Sequence, residues 1–379
     1  FFFSTSFRHS TLGQTQTANV PTAEERQGDF RNSALAIPTD PVTKQPLNPG
    51  NSRVLPPSLF SKNGPLLLKP YPLPNTGGSG FNFIRQNIAS NPQEQQVLRS
   101  DYNVSAKTQA FFRWIRDLFD SRDQGNGSAL GIVGNTNTRN GTLLSLNISH
   151  TFSPAAVNVF NFSLTGNRIN NFPVTTNFRR DGLGLTYPKL FDSNRYQVGP
   201  DVSIQGFTGY GVGSNLQNFQ WMFVWRDDFS YVRGTHALKF GIWLERFRKN
   251  ANVLQSGPRD NGSVAFSRTS GITSGNPVAD ALIGNFQSYG ESSADSVVFT
   301  RYTQVEVYAQ DNWRVKPNFT LEYGLRYVIS PAIYSAINNV IAFRPELYDR
   351  AKAPRFNSDG SLVRGVGDFI GDSYVNGLS

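Results

Sequence analysis

The chain has no cysteine, a single methionine and no long hydrophobic run among its 379 residues. The lack of cysteine excludes disulfides, cysteine zinc sites and thiol catalysis, and it fits a polypeptide that crosses an oxidising periplasm. The uninterrupted apolar runs are only a few residues long, whereas a membrane-spanning helix needs about 20 apolar residues. If this chain lies in a membrane, it must therefore cross it as a β-barrel.

Aromatic residues and turn formers are abundant instead. The chain contains 30 Phe, 14 Tyr and 5 Trp, with 34 Gly and 22 Pro. Aromatic side chains suit a pleated, half-buried surface, and Gly and Pro interrupt helices, so the composition predicts β-structure. The net charge of +9 arises from 36 basic residues that are spread along the chain. Scattered charge is typical of solvated surface, and we expect no nucleic-acid partner.

The sequence pattern predicts four hairpins. In the clearest one, the segments from Tyr302 to Trp313 and from Phe319 to Tyr327 alternate apolar with polar residues around Lys316-Pro-Asn. The other three join 219–232 to 238–247, 142–152 to 157–165, and 98–104 to 109–116. Asp227 falls in line with aromatic residues of its strand, so we expect a β-bulge at Asp227 and Asp228 that moves it off the apolar face.

Long connections alternate with these short turns. A first strand from Phe1 to Phe7 is followed by a Pro-rich stretch that reaches about residue 97. Loops longer than about 12–15 residues are uncommon in compact soluble domains, whereas outer-membrane barrels combine short periplasmic turns with long extracellular loops. The total of about nine strands is odd, and single-chain bacterial barrels have even numbers, so we expect more strands outside this stretch.

Alternation alone also fits a soluble β-sandwich or an adhesin-like repeat, and that alternative stays open. Two features favour the barrel. Tyr231 and Trp313 stand beside short turns, and we expect Trp114 and Trp243 toward the far ends of their strands, where aromatic rings suit water–lipid interfaces. Charged residues within the strands would be costly in a dry core, but a water-filled lumen tolerates them.

The predicted fold is all-β, a transmembrane antiparallel β-barrel fragment with short periplasmic turns and long extracellular loops, in the outer membrane of a Gram-negative bacterium. Residues 1–97 would form the first strand and a long extracellular loop, and residues 98–379 a partial barrel of about four hairpins. The predicted lumen-facing residues are Lys239, Glu245, Gln304, Glu306, Glu322 and Arg326. The predicted lipid-facing residues are Leu238, Phe240, Ile242, Leu321 and Leu325.

The residues that usually carry chemistry are isolated. His9, His150 and His236 have no second ligand at metal-binding spacing, so we expect no metal site. No Ser-His-Asp or paired-carboxylate arrangement can be argued from residue order. We therefore expect neither a cofactor nor an enzyme.

Several motifs in order resemble the TonB-dependent receptors of the Oar-like type that are abundant in Acidobacteria. After the opening Phe1-Phe-Phe, these motifs are Val20 to Phe30 (VPTAEERQGDF), Asp40 to Pro46 (DPVTKQP), Leu66 to Asn75 (LLLKPYPLPN), Arg233 to Gly241 (RGTHALKFG), Asn276 to Gly284 (NPVADALIG) and Tyr308 to Val315 (YAQDNWRV), continued by Gly324 to Tyr327 (GLRY). The chain departs from the family at Lys44, where a glycine is usual. The resemblance spans nearly the whole chain.

The resemblance implies a complete protein with a signal peptide, a carboxypeptidase-regulatory-like domain, a plug and a barrel of about 22 strands. A TonB box near its N-terminus would couple it to the TonB complex. The sequence shows none of these N-terminal parts, so we expect this chain to be the barrel portion alone. The implied function is uptake of an extracellular ligand, which could be an iron chelate, glycan, peptide or exported protein. The alternative is a passive outer-membrane structural or adhesive barrel.

Overall fold

A computed structural model describes the chain apart from residues 78–79, 124–128, 175–177, 192–196, 213–215, 253–260, 270, 294–296, 340, 342, 359–362, 364–365, 367–368, 371–372, 375 and 377–379. The strands in the described part are β1 (Phe2–Ala18), β2 (Phe83–Ser105), β3 (Thr108–Asp123), β4 (Gly134–Ser153), β5 (Ala156–Val174), β6 (Asp201–Ile204), β7 (Leu216–Arg233), β8 (His236–Asn252), β9 (Ser263–Phe266), β10 (Ser288–Gly290), β11 (Val297–Lys316), β12 (Phe319–Ile329), β13 (Tyr334–Ser335), β14 (Phe369–Ile370) and β15 (Ser373–Tyr374).

The nine long strands form one antiparallel sheet in the order β1-β2-β3-β4-β5-β7-β8-β11-β12. The short strand β13 pairs with β11 beyond the end of β12. Within the described residues the sheet does not close, and β1 and β12 form its two edges. The prediction of an all-β antiparallel fold is therefore confirmed.

Four tight turns of two residues, at 106–107, 154–155, 234–235 and 317–318, join consecutive strands of the sheet. They close the hairpins β2–β3, β4–β5, β7–β8 and β11–β12, which confirms the four predicted hairpins. Gly234 has a φ of +59°, a conformation that glycine adopts without steric cost in a two-residue hairpin turn.

The strands are longer than the sequence pattern predicts. β1 continues to Ala18, and β2 begins at Phe83, so the first long loop ends there and not at residue 97. The added stretches pair in the same register as the rest of their strands; for example, Gln14 lies opposite Asn87. Their residues are largely polar on both faces, and a strand without an apolar face gives no hydrophobic alternation to detect.

The helices lie outside the long strands. They are α1 (Ala23–Arg26), α2 (Gly64–Leu68), α3 (Arg180–Leu183) and α4 (Pro277–Ile283), with 3-10 turns at Pro57–Leu59, Pro345–Leu347 and Arg350–Lys352. No helix in the described part of the chain is long and apolar enough to cross a membrane. The strands β10, β9 and β6 form a second, small sheet among the same connections.

The long connections pack against one another around a shared hydrophobic core. We call the described residues of 19–82, 178–212 and 261–290 the loop cap. Its fully buried side chains come from all three segments and include Phe30, Leu68, Phe178, Ile204 and Leu282. The connections meet at the end of the long strands opposite the tight turns.

The apolar side chains of the long strands, by contrast, are largely uncovered. Phe240 is 42% exposed and Leu325 is 76% exposed. The main hydrophobic core thus belongs to the loop cap, while the sheet presents a broad apolar surface that water does not stabilise.

Candidate functional site: the two sheet faces and the loop cap

Strand register places all six predicted lumen-facing residues on one face of the sheet, which we call the polar face. Residues directly opposite each other in an antiparallel pair point to the same side. Lys239 lies opposite Gln310 and Glu245 lies opposite Gln304. On β11 and β12, Arg326 lies opposite Tyr308. Glu306 is two residues from Tyr308 on β11, and Glu322 is four residues from Arg326 on β12. Because side chains two or four residues apart on a strand point to the same side, all of these residues share one face. That this face lines a water-filled lumen remains a prediction.

The five predicted lipid-facing residues share the opposite face, which we call the apolar face. Phe240 and Leu325 both lie opposite Ala309, and Ile242 lies opposite Val307. The register partners of Leu238 and Leu321 on β11 are Asp311 and Trp313. The two predicted sets are therefore separated by the sheet itself.

Three charged groups on the polar face, Glu245, Glu306 and Arg326, have side-chain partners on the sheet. Arg326 Nη1 donates to Glu306 Oε2 at 2.7 Å, and Gln304 Nε2 donates to Glu306 Oε1 at 2.6 Å. Each oxygen of this carboxylate thus has a donor. The hydroxyl of Tyr302 donates to Glu245 Oε1 on the neighbouring strand. These contacts bring four of the six predicted residues into two clusters.

The polar network extends to residues that the sequence reasoning missed. Arg226 Nε lies 2.5 Å from Asp228 Oδ2, and the Tyr308 hydroxyl donates to Asp228 Oδ1 at 2.6 Å. The Tyr308 ring lies over Gly241, where a Cβ atom would stand 2.2 Å from Cε1 of that ring. The Arg326 guanidinium lies 5.0 Å from the centre of the same ring. Tyr308, on β11, thereby contacts both the neighbouring strand β12 and, beyond β8, the strand β7. The alternation of side chains along β11 puts Tyr308 on the same face as Gln304 and Glu306 and could have predicted its place there.

A groove of about 350 Å³ lies over Gly324 between β11 and β12. Its lining includes Glu322 and Arg326 on either side of Gly324, together with Gln310. A Cβ atom at Gly324 would stand 2.7 Å from Gln310 Cβ, so the groove requires glycine there. Opposite charges on its two sides give it donors and acceptors for a polar ligand.

The predicted β-bulge at Asp227 and Asp228 is wrong. β7 pairs with β5 and with β8 in continuous register through both residues, so Asp227 stays on the apolar face between Phe160 and Ile242. The physical reason is a local partner, because Asn158 Nδ2 donates to Asp227 Oδ1 at 2.7 Å. This hydrogen bond satisfies the carboxyl on the apolar face, so no bulge is needed to move Asp227 off that face.

The aromatic residues follow the predicted pattern only in part. Tyr231 and Trp313 lie on the apolar face next to tight turns, as expected. Trp114 lies in the middle of β3 opposite Leu144, and Trp243 lies in the middle of β8 opposite Glu306 on the polar face. The expectation that both lie toward strand ends is wrong, because their strands continue well past them.

Helix α4 forms the centre of the loop cap. Asn276 caps it, since its Oδ1 accepts from the backbone N–H groups of Val278 and Ala279, both at 3.1 Å. The Asn276 amide also donates to the carbonyl of Ala36 at 2.9 Å. The buried carboxyl of Asp280 accepts from the Thr273 hydroxyl at 2.5 Å and from the Ser274 backbone at 2.8 Å. Burial raises the pKa of Asp280.

Polar contacts also tie the segments of the cap together. The Arg26 Nη1 group donates to the carbonyl of Tyr71 at 2.7 Å, and Arg26 Nε donates to the carbonyl of Pro21 at 3.1 Å. The Tyr210 hydroxyl donates to the carbonyl of Leu67 at 2.5 Å. The rings of Tyr71 and Tyr210 meet edge to face with centroids 5.1 Å apart. Burial raises the pKa of Tyr210, which keeps its hydroxyl a donor.

The three histidines each contact one polar partner. His9 lies 2.9 Å from Ser90 Oγ, His150 lies 2.7 Å from Thr108 Oγ1, and His236 Nδ1 lies 2.6 Å from Asp311 Oδ2. In the described residues, no group of three His, Asp or Glu side chains could hold a metal ion.

Comparison with known proteins identifies the family of this chain. The sequence matches the family model of the outer membrane beta barrel domain over residues 1–377. Among solved structures, the chain is similar to the outer membrane transporter YddB from Escherichia coli, with 8% identity and a TM-score of 0.34. That similarity covers 65% of this chain and 27% of the YddB chain. A search of curated protein sequences gave no match. Because the family match spans nearly the entire chain, this protein belongs to the outer membrane beta barrel domain family and is located in the outer membrane.

Proposed function

We propose that this chain is the barrel portion of a TonB-dependent receptor of the Oar-like type, which takes up an extracellular ligand. The observation that carries the proposal is the loop cap. Its segments share one buried core, to which Phe30, Phe178 and Leu282 contribute. Bacterial barrels place their long loops outside the cell, so the cap would be a preorganised extracellular surface. A preorganised surface loses less conformational entropy when it binds a ligand.

The cap offers apolar groups for such a ligand. Leu73, Leu190 and Ile272 are more than half exposed although the cap around them is packed, and Phe286 is nearly half exposed. Large apolar side chains on a packed scaffold are typical of binding surfaces. They favour a ligand with an apolar part, whatever its polar groups are.

The polar face supports passage through the barrel. In an outer-membrane barrel the face opposite the lipid lines the interior, which is polar. Paired groups such as Glu306 with Arg326 would stay hydrated there and would offer donors and acceptors to a moving solute. We therefore assign Lys239, Glu245, Gln304, Glu306, Glu322 and Arg326 to the wall of the uptake path.

Binding to TonB is the sharpest test of this proposal. The complete gene product, solubilised in detergent, would be passed over the immobilised periplasmic domain of TonB, with a porin as the control. We expect retention of the gene product and none of the porin. Two results together would favour the passive adhesive barrel instead. These are a reading frame upstream of Phe1 that encodes neither a plug nor a TonB box, and a gene product that immobilised TonB does not retain.

A further inference from the structure

Two arginines face each other directly on the apolar face near the loop cap. Arg248 of β8 and Arg301 of β11 are register partners. Arg246, two residues along β8, points to the same side and lies opposite Thr303. We call Arg246, Arg248 and Arg301 the arginine cluster. Like charges directly opposite each other destabilise a sheet unless something compensates them.

No carboxylate in the described residues compensates the arginine cluster. Arg246 Nη1 donates to Thr303 Oγ1 at 2.8 Å. Arg301 donates to Asn250 Oδ1 at 2.7 Å and to the backbone carbonyl of Lys249 at 3.0 Å. All of these acceptors are neutral, and none of the ion pairs among the described residues includes one of these three arginines.

A second opposed pair in the same sheet shows the contrast. Arg99 and Arg113 are register partners on the polar face. There the Asp101 carboxylate accepts from Arg99, with Nη2 2.7 Å from Oδ1. At Arg99 and Arg113 the chain itself thus supplies an anion, whereas no described carboxylate contacts Arg248 or Arg301.

The arginine cluster stands at the upper border of the apolar face. From Leu238 to Leu244 the lipid-facing positions of β8 are apolar over about 20 Å, at about 3.3 Å per residue. Arg246 and Arg248 are the next two positions on that face, toward the loop cap. An outer-membrane barrel has an apolar band about 25 Å tall and strands tilted by about 40°. The ten residue steps from Leu238 to Arg248, about 33 Å along the strand, therefore rise about 25 Å and bring Arg248 to the headgroups of the leaflet on the loop side, and the long side chain of Arg246 extends toward them.

Aromatic side chains flank the cluster on both sides. Trp221 lies opposite Arg248 on β7, and Tyr334 of β13 lies opposite Arg301. The Trp221 ring lies over Gly166, where a Cβ atom would stand 2.3 Å from the indole. One strand further, the Arg168 guanidinium lies 4.7 Å from the centre of the Phe219 ring. Tryptophan and tyrosine at this depth mark the water–lipid interface.

We propose that Arg246, Arg248 and Arg301, flanked by Arg168, bind the phosphate groups of a phosphorylated lipid in the outer leaflet of the outer membrane. Guanidinium groups donate two parallel hydrogen bonds to phosphate oxygens, and three of them in one patch match a headgroup with more than one phosphate. The neighbouring apolar band would contact the acyl chains of the same molecule. The inference rests on the outer-membrane location and is independent of transport.

Lipid A tests the proposal, because it can be prepared with two phosphates or dephosphorylated. The complete gene product in detergent would be titrated with each lipid, and bound lipid would be counted by native mass spectrometry. We expect the phosphorylated lipid to bind and the double variant R248Q/R301Q to bind it about 30-fold more weakly, since each arginine near a membrane surface adds about a factor of five. The variant R99Q/R113Q removes two opposed arginines from the other face and should bind like the wild type.

Three results would overturn the proposal. These are equal binding of the dephosphorylated lipid, equal loss in R99Q/R113Q, and full displacement of the lipid by inorganic phosphate, which would indicate a site for free anions. The variant R248K/R301K keeps both charges but not the paired guanidinium hydrogen bonds, so it should bind the phosphorylated lipid more tightly than R248Q/R301Q and more weakly than the wild type. If R248Q/R301Q does not fold, as judged by heat-modifiable gel mobility, the comparison of the two lipids on the wild type decides the question.

Discussion

Asn158 and Asp227 form a hydrogen-bonded pair across β5 and β7 on the apolar face of the sheet, with 2.7 Å between Asn158 Nδ2 and Asp227 Oδ1. Both side chains are half-buried among apolar neighbours, and Phe160 and Ile242 are the register partners of Asp227. A polar group removed from water costs free energy unless it is hydrogen-bonded. The pair therefore explains how an acidic residue is tolerated on the apolar face.

This relationship predicts a non-additive double-mutant cycle. Asn158→Leu leaves the Asp227 carboxyl without its donor and should lower the free energy of unfolding by about 1–3 kcal/mol, whereas N158L/D227L replaces both partners and should restore most of it. Urea unfolding of the complete gene product in detergent micelles, followed by tryptophan fluorescence, measures both values. The single variant Asp227→Leu completes the cycle, and a loss in the double variant equal to the sum of the two single losses would show that the two residues do not interact.

The Tyr308 ring over Gly241 predicts a site that does not accept even a methyl group. In Gly241→Ala the added Cβ would stand 2.2 Å from the ring and 2.9 Å from Asp228 Oδ1. We expect a loss of about 1–3 kcal/mol in the free energy of unfolding, since overpacking forces side chains from their preferred positions. Gly13→Ala is the matched control, because a Cβ there has no atom within 4 Å. A G241A variant as stable as G13A would exclude the stacked arrangement.

The assignment of faces predicts unequal tolerance to arginine. Leu325 lies in the middle of β12, and Leu325→Arg should cost about 2–4 kcal/mol near the bilayer midplane. Leu321 lies close to the tight turn and should tolerate arginine better. The control Gln310→Arg places the same side chain on the polar face at a similar height, because Gln310 lies opposite Gly324, and it should cost much less. The free energy of unfolding in lipid vesicles is measured for both variants, and equal losses would contradict the assignment of the faces.

The sequence was sufficient to predict the faces of the barrel wall. In β11, Val305 and Val307 alternate with Gln304 and Glu306, and a two-residue period admits only one division into faces. The tight turns could also be predicted, because Lys316-Pro-Asn has the composition of a turn. The prediction for Asp227 is wrong because its partner Asn158 lies on another strand, and alternation within one strand cannot show that partner.

The loop cap was beyond sequence reasoning. Its contacts join residues that are far apart in the chain, such as the Tyr210 hydroxyl with the carbonyl of Leu67, and Asn276 with the carbonyl of Ala36. Short helices of four to seven residues give no amphipathic period to detect. The motif from Asn276 to Gly284 is recognisable by resemblance, but only the structure shows that it forms a buried, capped helix.

The buried carboxyl of Asp280 predicts a pH dependence of the loop cap. Burial raises its pKa above the ordinary value of 3.8, so the folded cap holds this proton at a pH where the unfolded chain has released it. The stability of the cap should therefore be highest below about pH 4, fall as the pH rises through the native pKa, and level off above it. Hydrogen-exchange protection factors in α4, measured between pH 4 and 7 on the complete gene product in micelles, check this slope.

Asp280→Asn separates this effect from other titrations. The amide keeps an acceptor for the Ser274 backbone N–H but has no proton to lose, so the slope between pH 4 and 7 should disappear. Asp40 changes the stability of the cap with pH in the opposite direction, because hydrogen bonds from the backbone N–H groups of Thr43 and Val42 lower the pKa of its carboxyl. Its contribution is lost only as the pH falls below about 4, outside the measured window. A slope that persists in D280N would mean that another group titrates in the cap.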